Sequence, residues 1–457
     1  MEQVYLICRH RETPNIHQYD VYVNEAEGYK GLQKALALGR DEVINVVKAS
    51  GLRGRGGAGF PTGVKWGFMP KNVQGPVYFV VNCAEGEPGT FGNHEIIENN
   101  PHQFIEGVII GAYAIGATTA YIYHRGEFKF GAEMIQMAVN DAYANGWLGK
   151  NIGGTDFSLD IYLHPEASAY ICGEETAQLN SIEGYLGQPR LKPPFPAQAG
   201  LWKRPTTVNN VETLAHVPAI IRNGADWFRQ WGSEKSPGTR VYCLSGHVTR
   251  PGNYELPMNV TARELIMEHG GGIWKGHGIK GFIPGGVSAP ILTEAHLDTV
   301  MDYDSLQAAG SMGGSGGCIV IDDQTDIAWL AKKMVDFYQH ESCGKCSPCR
   351  EGTWWQKNLL DRMMMGMGRA GDVEMLEMVS EQMNGVCFCP LGESSQGVVL
   401  GAMKYFRADF EQYGLGRAYD GVIPLGEITH GYEEAPAGGV KGNAMEAVEA
   451  VRSSRAH

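Results

Sequence analysis

Three cysteines stand three positions apart in Cys343-Gly344-Lys345-Cys346-Ser347-Pro348-Cys349, and Cys387 and Cys389 follow later in the chain. A C-x-x-C-x-x-C run lets three thiolates converge on one small inorganic cage, and a distant fourth closes it, which is the layout of a cysteine-ligated iron–sulfur cluster. Structural zinc also takes four cysteines, but usually as two separated pairs. Disulfides need an oxidising compartment, and nothing at the N-terminus resembles a secretory signal. The chemistry implied is electron transfer. Spacing alone leaves Cys387 and Cys389 as rivals for the fourth position.

The second feature is Gly51-Leu52-Arg53-Gly54-Arg55-Gly56-Gly57-Ala58-Gly59-Phe60. Consecutive glycines let backbone N–H groups turn inward and approach an anion closely. Arg53, Arg55 and Lys65 add positive charge, so a phosphate-bearing cofactor is the expected guest, against the plainer reading of a surface loop. The pattern is neither a Walker loop nor a dinucleotide fingerprint following a strand. Phe60, Trp66 and Phe68 offer rings on which a nicotinamide, adenine or flavin could stack, or ordinary core. Asn82-Cys83-Ala84-Glu85-Gly86-Glu87 leaves a strand end and Gly173-Glu174-Glu175-Thr176 precedes a helix. Carboxylates and amides at such places commonly line the ligand crevice of an α/β sheet.

Several strands and helices would position these groups. Val77–Val81, Thr119–Tyr123 and Leu159–Leu163 have strand character, while Phe104–Ile115 and 130–144 have helical length and spacing, the latter with Met134, Met137, Ala138 and Tyr143 on or near one face. This rhythm predicts an α/β domain with a mostly parallel sheet. The apolar stretch from Phe104 to Tyr123 is interrupted by Glu106 and reads as helix then strand, not as a membrane span. After a compositional shift at 231–238, strands at 241–246 and 318–321 flank a Thr261/Glu264 capping box that opens a helix ending at Gly270, a ββαββ-like module. From Thr325 the pattern is helical, with Thr325 or Asp326 as cap and further helices at 354–365, 373–383 and 398–410. Met363-Met364-Met365 reads as adaptable core packing rather than ligation. With 457 residues, 43% hydrophobic and 19% charged, the chain is a multidomain globular protein; a net charge of -13 argues against coating nucleic acid.

Read together, residues 51–63, Ile-Cys-Gly-Glu-Glu-Thr-Ala (171–177), Lys-Pro-Pro-Phe-Pro (192–196), Pro-Thr-Thr-Val-Asn-Asn-Val-Glu-Thr (205–213) and Glu-Ser-Cys-Gly-Lys-Cys-Ser-Pro-Cys-Arg-Glu-Gly (341–352) resemble the NADH-oxidising flavoprotein subunit of respiratory complex I, over roughly residues 35 to 415. The resemblance implies a Rossmann-like FMN- and NADH-binding α/β domain (1–235), a ubiquitin-like soluble-ligand-binding β-grasp domain (236–325), a helical bundle carrying one 4Fe–4S cluster (326–425), and a flexible tail (426–457) with a short helix near 444–451. It places Gly54, Arg55, Gly56 and Lys65 at the FMN phosphate region. Asn82, Glu85, Tyr170, Gly173, Glu174, Val208, Asn209, Asn210 and Thr213 would line the flavin. Phe60, Phe68, Lys192 and Phe195 would face NADH, with Glu87 and Glu175 as the catalytic pair whose charge repels the nucleotide phosphates and helps NAD⁺ leave. Cys343, Cys346, Cys349 and Cys389 would ligate the cluster, Cys389 because it precedes Pro390-Leu391 as the family's ligand precedes a residue-Leu pair.

The implied partners are a thioredoxin-like 2Fe–2S subunit and a large iron–sulfur subunit, on the cytoplasmic side of the inner membrane in a peripheral arm that meets the membrane only through the assembled complex. Diaphorase subunits of NAD-linked hydrogenases and formate dehydrogenases share the motifs; the expected lack of their thioredoxin-like and ferredoxin extensions favours complex I. Two departures stand out: Ala84 where the family has Asp, and Gly92-Asn93-His94 where it has Lys-Asp-Arg. They keep a degenerate scaffold protein as a further alternative.

Overall fold

A computed structural model describes residues 4–414, Asn72 and Ser168 excepted. The apolar run at 77–81 forms β1 (Tyr78–Cys83), flanked by β2 (Thr119–Arg125) and β4 (Thr206–Asn210), with β3 (Asp160–Glu166) at the edge. All three pairings are parallel, in the order β3-β2-β1-β4. The run lacks alternation because both faces of β1 are covered. Phe79, Val81 and Cys83 join the core beneath the Pro101–Ile115 helix, whereas Val80 faces a second core shared with the C-terminal helices.

Every residue of the Pro101–Ile115 helix is buried, Glu106 included. That carboxylate accepts from Tyr22 Oη and from the backbone N–H groups of Tyr29 and Leu32, both at 2.9 Å, and so receives the N-terminal segment. No described helix is long and apolar enough to cross a membrane. On the Lys129–Ala144 helix the buried face is Met134, Ile135, Ala138, Val139 and Ala142. Tyr143 does not share it, as its offset from Ala138 carries it past the stripe; its hydroxyl donates to Asp160 at the surface.

The second module has five strands, one more than expected: β5 (Thr239–Gly246), β6 (Gly252–Pro257), β7 (Ile279–Ile283), β8 (Leu292–Thr293) and β9 (Gly317–Asp322), ordered β6-β5-β9-β7-β8. β5 and β9 are parallel and the other pairs antiparallel. β8 has two residues, too short to leave a periodic signal. The capping box forms: Glu264 N–H donates to Thr261 Oγ1 at 3.1 Å and Thr261 N–H to Glu264 Oε2 at 2.8 Å. The turn it opens, Glu264–His269, is a wide π-helix.

Four helices follow: Ile327–Glu341, Ser347–Met364, Asp372–Gln382 and Pro390–Gly414. Asp326 caps the first, accepting from Trp329 N–H. The second and fourth begin well before the sequence pattern suggests, at Ser347 and Pro390. Their first turns are small and polar and carry no apolar period, though proline near each start was a signal for an N-terminus. Of the methionine triplet only Met363 is core; Met365 is exposed. The expected tail and its short helix lie outside the described residues.

Candidate active site and cluster cavity

β1 is followed in sequence by β2 on one side, and the chain later returns as β4 on its other side, so the strand order reverses between β1 and β4. A crevice at the carboxyl ends of two such strands is where α/β sheets bind ligands. Here those ends carry Asn82 and Asn210, which are register partners. Asn210 also caps the Val211–Asn223 helix, accepting from Thr213 N–H at 3.1 Å. The helix therefore points its N-terminus into the crevice.

The glycine loop closes over this point. Gly54 N–H donates to Phe60 O at 2.8 Å, and Arg55 N–H to Thr213 Oγ1 at 2.9 Å. A Cβ on Gly56 would lie 2.9 Å from Asn210 Cβ, so only glycine permits the approach, while nothing lies within 4 Å of one on Gly57. The result is a small backbone cradle at a helix N-terminus, a fit for a phosphate.

The two arginines do not give it their charge, contrary to the sequence expectation. The Arg55 guanidinium is buried and donates to the carbonyls of Arg53, Pro237 and Thr239. Arg53 pairs with Asp304 at 2.6 Å and lies over the Tyr303 ring. Both tie the loop to the second module. Tyr303 Oη adds to this by donating to Gly54 O at 2.6 Å.

Lys65 stays on the crevice side. Its Nζ is 2.9 Å from Glu175 Oε2, and Lys192 Nζ lies 3.0 Å from Glu174 and 3.2 Å from Glu175. Glu174 spends its other oxygen capping the Glu175–Ile182 helix. Burial would raise the Glu175 carboxyl, but Lys65 and Lys192 hold it below the usual range. The segments bearing Phe60 and Phe68 and the segment bearing Phe195 thus converge on Glu175. All three rings are exposed, at 47%, 61% and 54%, with Phe60 and Phe68 centred 6.0 Å apart. Aromatic faces left this open are available for stacking.

The remaining predicted residues divide. Asn82 Nδ2 donates to Gly173 O at 2.9 Å, joining two of them at the strand end. Asn209 accepts from the buried Trp66 indole, and Val208 lies on the sheet face shared with the helical bundle. Glu85 turns away: both its oxygens cap the Gly92–Asn99 helix through Asn93 and His94 N–H, and burial raises its pKa. Glu87 accepts from Tyr170 Oη at 2.5 Å and from Ser288 N–H at 2.7 Å, and burial raises its pKa as well. Ser288 was missed by sequence reasoning. The glycine-rich stretches around it, Gly285-Gly286 and 313–317, were the signal for a close backbone approach.

Cys343, Cys346, Cys349 and Cys389 line one small cavity together with Ile171, Pro189, Phe388 and Leu391. Cys387 does not line it; its thiol donates to Met383 O at 3.4 Å. Among the described residues no set of three His, Cys, Asp or Glu is placed to hold a single metal ion. The four thiols instead surround a space, which suits a cage of several atoms. Cys349 and Cys389 are each pushed up to about 11, by burial first and by the neighbouring thiols. Phe388 N–H donates to Cys346 Sγ at 3.4 Å, and Lys345 lies over the Phe388 ring. The two sites share a wall, because the Tyr170–Gly173 turn gives Gly173 O to the crevice and Ile171 to the cavity.

Residues 47–219 match the Nuo51 FMN-binding domain, 241–292 the SLBB domain, and 329–413 the NADH-ubiquinone oxidoreductase-F iron–sulfur binding region. The chain is 51% identical over 406 residues to an F-type NADH-quinone oxidoreductase chain of Rhizobium meliloti (strain 1021), covering 89% of this chain and 96% of that relative. It is 50% identical over 398 residues to the F-type NADH-quinone oxidoreductase chain of Streptomyces coelicolor, covering 87% and 88%. Among solved structures it is similar to an NAD⁺-reducing NiFe hydrogenase in the H2-reduced state, with a TM-score of 0.79 at 30% identity, covering 90% of this chain and 67% of that one.

Proposed function

Because the chain belongs to the family of F-type NADH-quinone oxidoreductase subunits, we propose that its crevice oxidises NADH and that its four-cysteine cavity takes the electrons onward. FMN bound in the crevice supplies the conversion of hydride chemistry, which moves two electrons, into the single electrons a 4Fe–4S cluster accepts. The observation that carries the reading is the Tyr170–Gly173 turn, which borders both sites. Hydride transfer asks no general acid or base of the protein, only alignment and exclusion of other acceptors.

Gly54, Gly56 and the N-terminus of the Val211–Asn223 helix would hold the FMN phosphate, with Lys65 beside them. Arg55 would hold the loop's shape. Asn82, Gly173, Asn209, Asn210 and Thr213 would set the flavin's edge, and Phe60, Phe68 and Phe195 would stack or shield the nucleotide. Glu87 and Glu175 would line its side of the crevice. Cys343, Cys346, Cys349 and Cys389 would ligate the cluster. The same reading divides the chain at 235/236 and 325/326, and supplies as partners a thioredoxin-like 2Fe–2S subunit and a large iron–sulfur subunit of a peripheral arm on the cytoplasmic face. A hydrogenase or formate dehydrogenase diaphorase is the second reading, supported by the solved hydrogenase at 30% identity against 50% and 51% for the two quinone oxidoreductase relatives.

The test is the purified chain, handled anaerobically and reconstituted with FMN, iron and sulfide. A flavin spectrum with NADH:ferricyanide reductase activity supports the reading. A folded but colourless and inactive preparation supports the scaffold alternative and contradicts it.

A further inference from the structure

The Glu87-Pro88-Gly89 tip of the first domain is threaded between two glycine-rich loops of the SLBB module. Gly286, at φ +88, lies so close that a Cβ there would stand 2.5 Å from Glu87 Cγ and 2.7 Å from its Oε1. Val287 N–H donates to Pro88 O at 3.3 Å, and Gly286 N–H to Gly317 O at 2.6 Å, which braces one loop on the other. A Cβ on Gly317 would stand 2.5 Å from Gly89 O, and one on Gly89 2.8 Å from Ile319. Thr90 and Ser315 hydroxyls bond to each other beside this contact.

Glu87 is thus held from three sides. One oxygen takes Ser288 N–H from the SLBB module and the other takes Tyr170 Oη. Tyr170 is fixed in turn by the helical bundle, its N–H donating to Glu341 at 3.1 Å and its ring meeting Phe337 at 5.1 Å. A buried carboxylate whose two oxygens answer to donors in fixed frames has one orientation, and moving the frame moves the carboxylate.

We propose that the SLBB module is part of the nucleotide site, with Gly286 and the Ser288 main-chain N–H as positioning residues that set the Glu87–Tyr170 pair against NAD(H). This rests on the proposed function, in which the nucleotide docks beside Glu87. A side chain at Gly286 displaces Glu87 toward the crevice, and loss of the Ser288 donor frees one of its oxygens. Both act on nucleotide binding, not on the flavin or the cluster.

The test titrates the reconstituted full chain with NAD⁺ by calorimetry, for wild type, Gly286→Ala, Ser288→Pro, Glu87→Ala and each double variant with Glu87→Ala; flavin content and unfolding midpoint are recorded alongside. Gly286→Ala and Ser288→Pro are expected to weaken NAD⁺ binding about tenfold and to raise KM for NADH similarly, with kcat held within about twofold. In the Glu87→Ala background the same substitutions are expected to change nothing further, because the group they displace is gone. Unchanged NAD⁺ affinity in either flavin-replete single variant, or equal weakening with and without Glu87, would overturn the inference. A flavin-replete wild type that binds no NAD⁺ would overturn the underlying nucleotide reading as well.

Discussion

At Ala84 a methyl group stands where relatives place a carboxylate, on the loop leaving β1; its N–H is already held by Asn82 at 3.1 Å. Ala84→Asp is expected to retain FMN at least as tightly as wild type during dialysis; weaker retention would contradict the placement of that loop at the flavin. Glu175 neutralises both Lys65 and Lys192. Glu175→Gln leaves those ammonium groups to the nucleotide's pyrophosphate, so inhibition by NAD⁺ is expected to strengthen severalfold, about 1 kcal/mol for charges in a part-exposed cleft. Unchanged product inhibition would remove Glu175 from the release step. Residue types and spacing made the thiols and the glycine loop legible. They could not show that Arg53, Arg55 and Glu85 spend their charge inside the protein. For the arginines the partners lie far away in sequence: Asp304 for Arg53, and the Pro237 and Thr239 carbonyls for Arg55.

Among the elements, the N-terminal segment was the least legible, because what holds it is one carboxylate on a distant strand. Glu255 of β6 is fully buried and accepts from Leu6, Ile7 and Cys8 N–H and from Thr239 Oγ1. Glu255→Ala orphans these donors and is expected to cost about 3 kcal/mol; denaturant unfolding within experimental error of wild type would contradict it. The joint between the Val211–Asn223 helix and β5 is pH-sensitive. His216 is buried there, its ring nitrogens bonded to Glu212 O and Thr239 Oγ1. Burial first, then the Arg55 charge, lowers its pKa to about 3. The unfolded imidazole titrates near 6.5, so between about pH 6.5 and 3 the unfolded chain binds a proton the folded chain refuses, and stability falls on acidification through that window. The unfolding midpoint of His216→Gln is expected to depend less steeply on pH between about 7 and 5 than that of wild type; equal slopes would refute this. Strands β1 to β3 and the Pro101–Ile115 helix were legible because apolar runs and length define them. The starts of the helices after Cys346 and Cys389 were not, because there the sequence serves the cavity instead of an apolar face.

On the scale of the whole molecule, three modules meet at the crevice, and the sequence showed their order more readily than their contacts. The back of the parallel sheet and the helical bundle share one core, joining Val80 and Val208 to Ile327, Val335 and Leu391. Those residues lie in separate segments, and no local pattern links them. Such packing keeps the crevice and the four-thiol cavity at a fixed separation, which electron transfer between them requires. In the proposed function, electrons taken from NADH at the first reach an iron–sulfur cluster held by Cys343, Cys346, Cys349 and Cys389 at the second. Electron paramagnetic resonance of the reconstituted chain after addition of NADH tests this most directly. Wild type and Cys387→Ser are predicted to show the reduced-cluster signal, and Cys389→Ser to keep its flavin but lose the signal and most of its iron. A flavin-replete wild type with no NADH-dependent cluster signal, or a Cys389→Ser chain that retains one, would contradict it.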